Sequence, residues 1–133
     1  MVAYTDDLAD CFILVVEDES IAAIDIASII SMAGGRVIGP FQSVSQGFGF
    51  RRFKHIDAAL LDIRLNGELV FTLADAIAER GIPIIFLSAH SLDIAPPQHR
   101  QHRFVQKPYD TQQVIRALKE AISELSCIDK RSA

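Results

Sequence analysis

Four apolar runs in the chain each give way to polar residues of a chemically useful kind. Glu17 and Asp18 follow Cys11–Val16, Asp62 follows Ala58–Leu61, Ser88 follows Ile82–Leu87, and Lys107 stands just beyond Phe104-Val105. Three carboxylates, a hydroxyl and an ammonium brought to one edge would have a definite chemistry. Carboxylates so gathered repel one another by up to ~4 kcal/mol per close pair at a surface-like dielectric, so the group calls for a compensating cation. Mg²⁺ answers that need: it is a hard ion that takes oxygen ligands, keeps several waters, and commonly joins one or two protein carboxylates to phosphate oxygens. The ammonium would then hold a transferred phosphoryl group, and the hydroxyl could donate to one of its oxygens. Taken singly, each residue has a plainer role, as helix-capping acid, turn residue, loop hydroxyl or solvated charge; the reading rests on the set.

These residues meet only if the runs that precede them are neighbouring strands. Cys11–Val16 is continuous and rich in β-branched residues, as a strand buried on both faces reads. From Ser20, taken as an N-cap, Ala23, Ile26, Ala27 and Ile30 recur at helical spacing until Gly34-Gly35. Arg36–Phe41 predicts a second strand, and Ser43–Phe53 a weak helix interrupted by Gly47 and Gly49. Ala58–Leu61 forms the third strand. Val70, Leu73, Ala74 and Ile77 give the next helix a buried stripe that Gly81 ends. Ile82–Leu87 is the fourth strand, with Pro83 tolerable at its start. Between Ser91 and His99 the Pro96-Pro97 pair leaves room for a short fourth helix only. Phe104-Val105 marks the fifth strand, and Val114, Leu118, Ala121 and Leu125 line the last helix. Strands alternating with helices in this way predict an α/β fold with a parallel sheet covered on both faces. In such a sheet the ligand site lies at the carboxyl ends of the strands, where the polar set falls.

The bulk properties agree. A chain of 133 residues suits one domain, and half of it is apolar with 23% charged, which fits a globular protein rather than a disordered or disulfide-stapled one. Its net charge of −4 disfavours nucleic acid as a direct partner. The basic stretches Arg51–His55 and Arg100–Arg103, together with His99 and His102, read as solvated surface rather than as a nucleic-acid or transition-metal site. Cys11 and Cys127 lack metal or redox spacing and are expected as free thiols. The acidic residues 1–10 and the brevity of the run after them predict neither a leader nor a membrane span, hence a cytoplasmic protein. The expected division is an extension over 1–10, the domain over 11–126 and a tail over 127–133.

The chain from Cys11 to Leu125 resembles the receiver domain of bacterial response regulators. Ile13-Leu14-Val15-Val16-Glu17-Asp18 is similar to the family's first strand with its acidic pair, Leu60-Leu61-Asp62 to its phosphoacceptor, Phe86-Leu87-Ser88-Ala89 to its fourth-strand hydroxyl, and Lys107-Pro108-Tyr109 to its Lys-Pro-aromatic signature. The resemblance implies a flavodoxin-like (βα)5, doubly wound sheet in order 2-1-3-4-5, and phosphoryl transfer from the phosphohistidine of a histidine kinase or phosphotransfer protein to Asp62. It implies Glu17, Asp18, Asp62 and the backbone carbonyl of Arg64 as Mg²⁺ ligands, with Lys107 pairing with the phosphoryl group. Ser88 and Phe104 would be the switch residues, and the Lys107-Pro108 peptide would be cis. Arg64 and His90, each two positions beyond a site residue, would flank the path of hydrolytic water and slow dephosphorylation. A downstream protein target and a second copy of the chain are the further partners it suggests.

Two departures stand out. The segment Ile63–Glu68 reaches Gly67 sooner than the family's usual spacing, which predicts a short loop beside the site. Glu17 is a methylene longer than the more usual Asp. A phosphorylation-independent docking or dimerisation module is the alternative reading. A hydrolase built on Ser88 and His90 is disfavoured, because no Gly-x-Ser-x-Gly elbow surrounds the serine.

Overall fold

The computed structural model describes the backbone of residues 5–89 and 94–132, and side chains as far as Glu124. Five parallel strands, β1 (Phe12–Val16), β2 (Arg36–Phe41), β3 (Ala58–Asp62), β6 (Ile84–Ser88) and β7 (Arg103–Gln106), form one sheet in the order β2-β1-β3-β6-β7. Counted along the chain within the sheet, that is the expected 2-1-3-4-5, the flavodoxin-like order. Between β3 and β6 lies a hairpin of two short strands, β4 (Arg64–Leu65) and β5 (Glu68–Leu69). The helices are α1 (Ser20–Met32), α2 (Val44–Gly47), α3 (Phe71–Glu79) and α4 (Thr111–Ser132).

Strands β1, β3 and β6 read as unbroken apolar runs because both faces of the sheet are covered. Leu14, Val16, Ala59, Leu61, Ile84 and Phe86 point into a layer that also contains Leu73, Ala74 and Ile77 of α3. The alternate residues Ile13, Val15, Ala58, Leu60, Ile85 and Leu87 meet Ile26 and Ile30 of α1 and Val114, Leu118 and Ala121 of α4. Each large side chain fully removed from water contributes roughly 1.5–3 kcal/mol. The stripe expected on the last helix is therefore present through Ala121; Leu125 falls beyond the described side chains.

Local differences from the sequence expectations have clear causes. Helix α1 starts one residue early: Glu19 occupies the N-cap position without a side-chain cap bond, and the Ser20 hydroxyl instead accepts from Gln42 Nε2 at 3.2 Å. The weak second helix is a single α-turn capped by the Ser43 hydroxyl, continuing as a 3₁₀ turn over Phe48–Arg52. A Cβ on Gly47 would stand 2.5 Å from Leu73 Cδ2, so the glycine that weakens the helix also lets it approach the core. Asp110 and Gln113 close α4 with reciprocal bonds of 2.8 Å, Gln113 N–H to Asp110 Oδ1 and Asp110 N–H to Gln113 Oε1. Of the stretch expected to hold a short fourth helix, Pro97–His99 forms a 3₁₀ turn, and Ser91 to Asp93 lie outside the described residues. The segment set apart in sequence as an extension is tied to the domain from Thr5 on: Thr5 and Leu8 N–H groups donate to Met32 and Ala33 carbonyls, and Leu8 is buried beside α1. Among the described residues no helix is long and apolar enough to cross a membrane, and Cys11 is a free thiol.

His99 is a correction of substance. Far from solvated, it is 1% exposed, stacked on Phe71 and edge-on to Phe86, with its Nε2 2.6 Å from Asp75 Oδ1 on α3. His102 Nε2 lies 3.1 Å from His99 Nδ1. The bonding is complete if both rings are neutral, with His102 N–H donating to His99 and His99 N–H donating to the carboxylate. Burial, and then electrostatic repulsion from the neighbouring His99 ring, which opposes a second charge there, hold the His102 pKa below its ordinary 6.5. The unfolded chain therefore takes up this proton first as pH falls, so the stability the neutral ring contributes is lost below about pH 6.5. Between about pH 7.5 and 5.5 the thermal unfolding midpoint of wild type should fall relative to that of His102→Gln, a comparison in which the opposing contribution of other titrating groups cancels. Equal pH slopes for the two proteins would rule this out.

Candidate functional site

The register of the central strands delivers the polar set to one edge. The Glu17 N–H still bonds the Phe41 carbonyl at 2.8 Å, so Glu17 continues the β1 ladder and its side chain points inward, fully buried. Asp18 follows in a bend and is half-buried. Asp62 ends β3, 8% exposed, and Ser88 ends β6, 3% exposed. Lys107 comes directly after β7, and its N–H donates to the Ser88 carbonyl at 2.8 Å. Its ammonium bridges two strand ends, donating to Glu17 Oε1 at 2.7 Å and to Asp62 Oδ2 at 3.1 Å. The Lys107-Pro108 peptide is cis, as is Gly39-Pro40.

One ammonium faces three carboxylates, and the local electrostatics show the imbalance. Burial, followed by the hydrogen bond with Asp62, pushes Glu17 up to about 7 despite the opposing pull of Lys107. Burial also works against the Lys107 charge, but the hydrogen bond to Glu17 and the charges of Asp62 and Glu17 outweigh it and hold its pKa above the ordinary value. Nearby, burial and then the charge of Asp25 raise the Tyr109 hydroxyl to about 12. One carboxylate oxygen from each of Glu17, Asp18 and Asp62 lies within 4.8 Å of the others. An all-oxygen donor set with surplus negative charge fits a hard divalent ion, and Mg²⁺ with waters completing its shell matches the few ligands offered.

The hairpin that follows Asp62 frames the open side. Its tip, Asn66-Gly67, has φ of 52° and 80°, the two positive values that a tight two-residue hairpin turn needs. The expected short loop is thus a hairpin. The Asn66 N–H donates to Asp18 Oδ2 at 2.9 Å, and its side-chain Nδ2 donates to the Gln42 carbonyl at 3.1 Å. Sequence reasoning passed over Asn66, although Asn-Gly is the strongest short hairpin signal there is. Arg64 places its N–H 3.4 Å from Asp62 Oδ1 and exposes its side chain. Phe104 is half-buried, pairs with Phe86 in the register of β6 and β7, and packs on the core layer of α3. Glu17, Asp18, Asp62, Lys107 and Ser88 are thus brought to one edge; Phe104 sits on β7 away from the ammonium, and His90 lies outside the described residues.

Comparison with known proteins gives a consistent result. The response regulator receiver domain family matches residues 13–119. Among solved structures, SdrG from Sphingomonas melonis Fr1 is 31% identical, with 92% of this chain and 98% of that one covered and a TM-score of 0.71. A response regulator receiver domain protein from Clostridium thermocellum is 22% identical over 89% of this chain and 98% of its own, with a TM-score of 0.77. The response regulator PhyR from Brucella abortus, at 20% identity and a TM-score of 0.81, covers 94% of this chain, which spans 53% of PhyR. No curated protein matches.

Proposed function

The chain belongs to the response regulator receiver domain family, a family of signalling domains, and from that premise we propose that it accepts a phosphoryl group on Asp62 from a histidine kinase or phosphotransfer protein in the cytoplasm. The observation that carries the reading is the Lys107 ammonium bridging Glu17 and Asp62 at the mouth of three clustered carboxylates. A carboxylate oxygen of Asp62 attacks the phosphorus of phosphohistidine, the P–O bond forms as the P–N bond breaks, and the imidazole leaves. Glu17, Asp18 and Asp62, with the Arg64 carbonyl, would hold Mg²⁺. An ion held there would supply positive charge against the charge that develops on the phosphoryl oxygens. Lys107 moves from its carboxylate partners to the new phosphoryl oxygens, where a preorganised cation is most effective.

The same geometry supports a switch. Ser88 shares its strand end with the bond to Lys107 N–H, so a Ser88 hydroxyl drawn toward the phosphoryl group would alter the end of β6 against β7, where Phe86 and Phe104 are paired. The face around β7 is then the surface offered to a downstream protein or a second copy of the chain. Arg64, exposed beside Asp62, would shield the acyl phosphate from water, with His90 as its expected partner in that role.

Docking of the phosphodonor has its own mark. Ile21 and Ile24, on the first turns of α1 directly after Asp18, are 78% and 69% exposed. Paired exposed isoleucines beside a reactive site fit an apolar contact with a protein donor. Ile24→Glu should slow labelling by a phosphorylated protein donor roughly tenfold, the loss of ~1.4 kcal/mol of contact, and leave labelling by acetyl phosphate as in wild type. Equal slowing with both donors would place the defect in the site itself. The reading as a whole is tested by gel shift and intact mass after acetyl phosphate and Mg²⁺ treatment; an unlabelled protein would favour the phosphorylation-independent docking module.

A further inference from the structure

We infer that Asn66, at the tip of the β4–β5 hairpin, is a positioning residue that holds Asp18 ready for the metal; the inference rests on the reading of Glu17, Asp18 and Asp62 as a Mg²⁺ site. The three carboxylates are not held alike. Glu17 and Asp62 are fixed by the Lys107 ammonium at 2.7 and 3.1 Å. Asp18 is beyond that bridge and half-exposed, free on charge grounds alone to swing away from the other two into water. Among the described residues, the hydrogen bond that holds its carboxylate comes from the Asn66 N–H to Oδ2 at 2.9 Å.

That N–H is aimed by the conformation of Asn66. Its φ of 52° lies in the left-handed region, which asparagine enters more readily than most side chains. The side chain then secures the tip, with Nδ2 donating to the Gln42 carbonyl at 3.1 Å. Gln42 is itself fixed: its N–H donates to Gln46 Oε1 at 3.0 Å, and its Nε2 donates to the Ser20 hydroxyl at 3.2 Å. Ser20 is the first residue of α1, two positions after Asp18, so the contacts close a ring from Asp18 through Asn66, Gln42 and Ser20 back to the start of α1. Leu65, buried next to the tip, anchors the hairpin to the core. One oxygen of Asp18 is occupied by the N–H, which leaves the other for a cation. The carboxylate is thereby oriented before the ion arrives, and the ordering that binding would otherwise require is already in place.

The test is a Mg²⁺ titration of the whole chain, followed by backbone amide NMR signals around Asp18, Asp62 and Asn66, with metal-free thermal unfolding measured alongside. Asn66→Ala, which loses the side-chain tether and strains the positive φ, should weaken Mg²⁺ binding at least ~10-fold, as loss of a ligand-orienting partner commonly does. Asn66→Gly keeps the turn and the N–H but not the tether, and should fall between Asn66→Ala and wild type. The Asn66 amide signal of wild type should move on Mg²⁺ addition. Wild-type affinity in Asn66→Ala, with only the metal-free unfolding midpoint lowered, would show a merely structural residue and overturn the inference while leaving the metal reading intact. A wild type whose amide signals ignore Mg²⁺ would overturn the metal reading, and the inference with it.

Discussion

Asp62→Asn should take up no phosphoryl group from acetyl phosphate or a phosphohistidine donor, a loss of at least ~10³-fold that corresponds to ~4 kcal/mol of barrier. An amide oxygen is a far weaker nucleophile than a carboxylate, and the neighbouring acids are poorly placed to substitute. Glu17 is fully buried and engaged by Lys107 through Oε1, and Asp18 is turned toward the hairpin by Asn66. The near-isosteric change removes one of three mutually repelling carboxylates, so the metal-free protein should unfold at the wild-type temperature or above it. That second measurement separates lost chemistry from lost folding. Intact-mass analysis reads the first; stable labelling of Asp62→Asn at another residue would displace Asp62 as the acceptor.

The strand-end residues could be found in sequence because the physics behind them is local. β1, β3 and β6 are buried on both faces, so each is a continuous apolar run, and its polar terminus marks the sheet edge. Lys107 was legible from its place just beyond Phe104-Val105 and before Pro108-Tyr109, although its partners are 90 and 45 residues away. What sequence did not yield depends on encounters between distant segments. His99 sits in a polar stretch, and only Phe71, Phe86 and Asp75, supplied by α3 and β6, make its site a buried one. Leu8 is a single apolar residue among acids, too little to show a period, yet α1 covers it. The β4–β5 hairpin has strands of two residues each, below the length at which alternation can be read. Its Asn-Gly tip was readable as a turn, but its bond to Asp18 was not.

Lys107 should produce opposite effects on metal and phosphoryl group, and Lys107→Met exposes them. Wild type balances the buried edge with one ammonium, 25% exposed at its side chain, against three carboxylates. Removing that charge leaves the carboxylates with a larger surplus, and a divalent ion becomes their main source of compensation. A unit charge ~4 Å away is worth between ~1 kcal/mol in water and ~4 kcal/mol at a surface-like dielectric. The partial exposure of Lys107 puts the effect toward the lower end, so Mg²⁺ should bind roughly tenfold more tightly, a gain of ~1.4 kcal/mol. The transferring phosphoryl group, in contrast, loses the cation that meets its developing charge, and labelling should slow by ~10²–10³-fold. Metal-free Lys107→Met should also unfold at a lower temperature, with Glu17 buried and unpaired, and saturating Mg²⁺ should raise its midpoint more than it raises that of wild type. Calorimetric titration gives the affinity and acetyl phosphate labelling gives the rate. If both metal affinity and labelling fell together in Lys107→Met, the ammonium would be a support for the metal site rather than its electrostatic rival, and the assignment of Lys107 to the phosphoryl oxygens would fail.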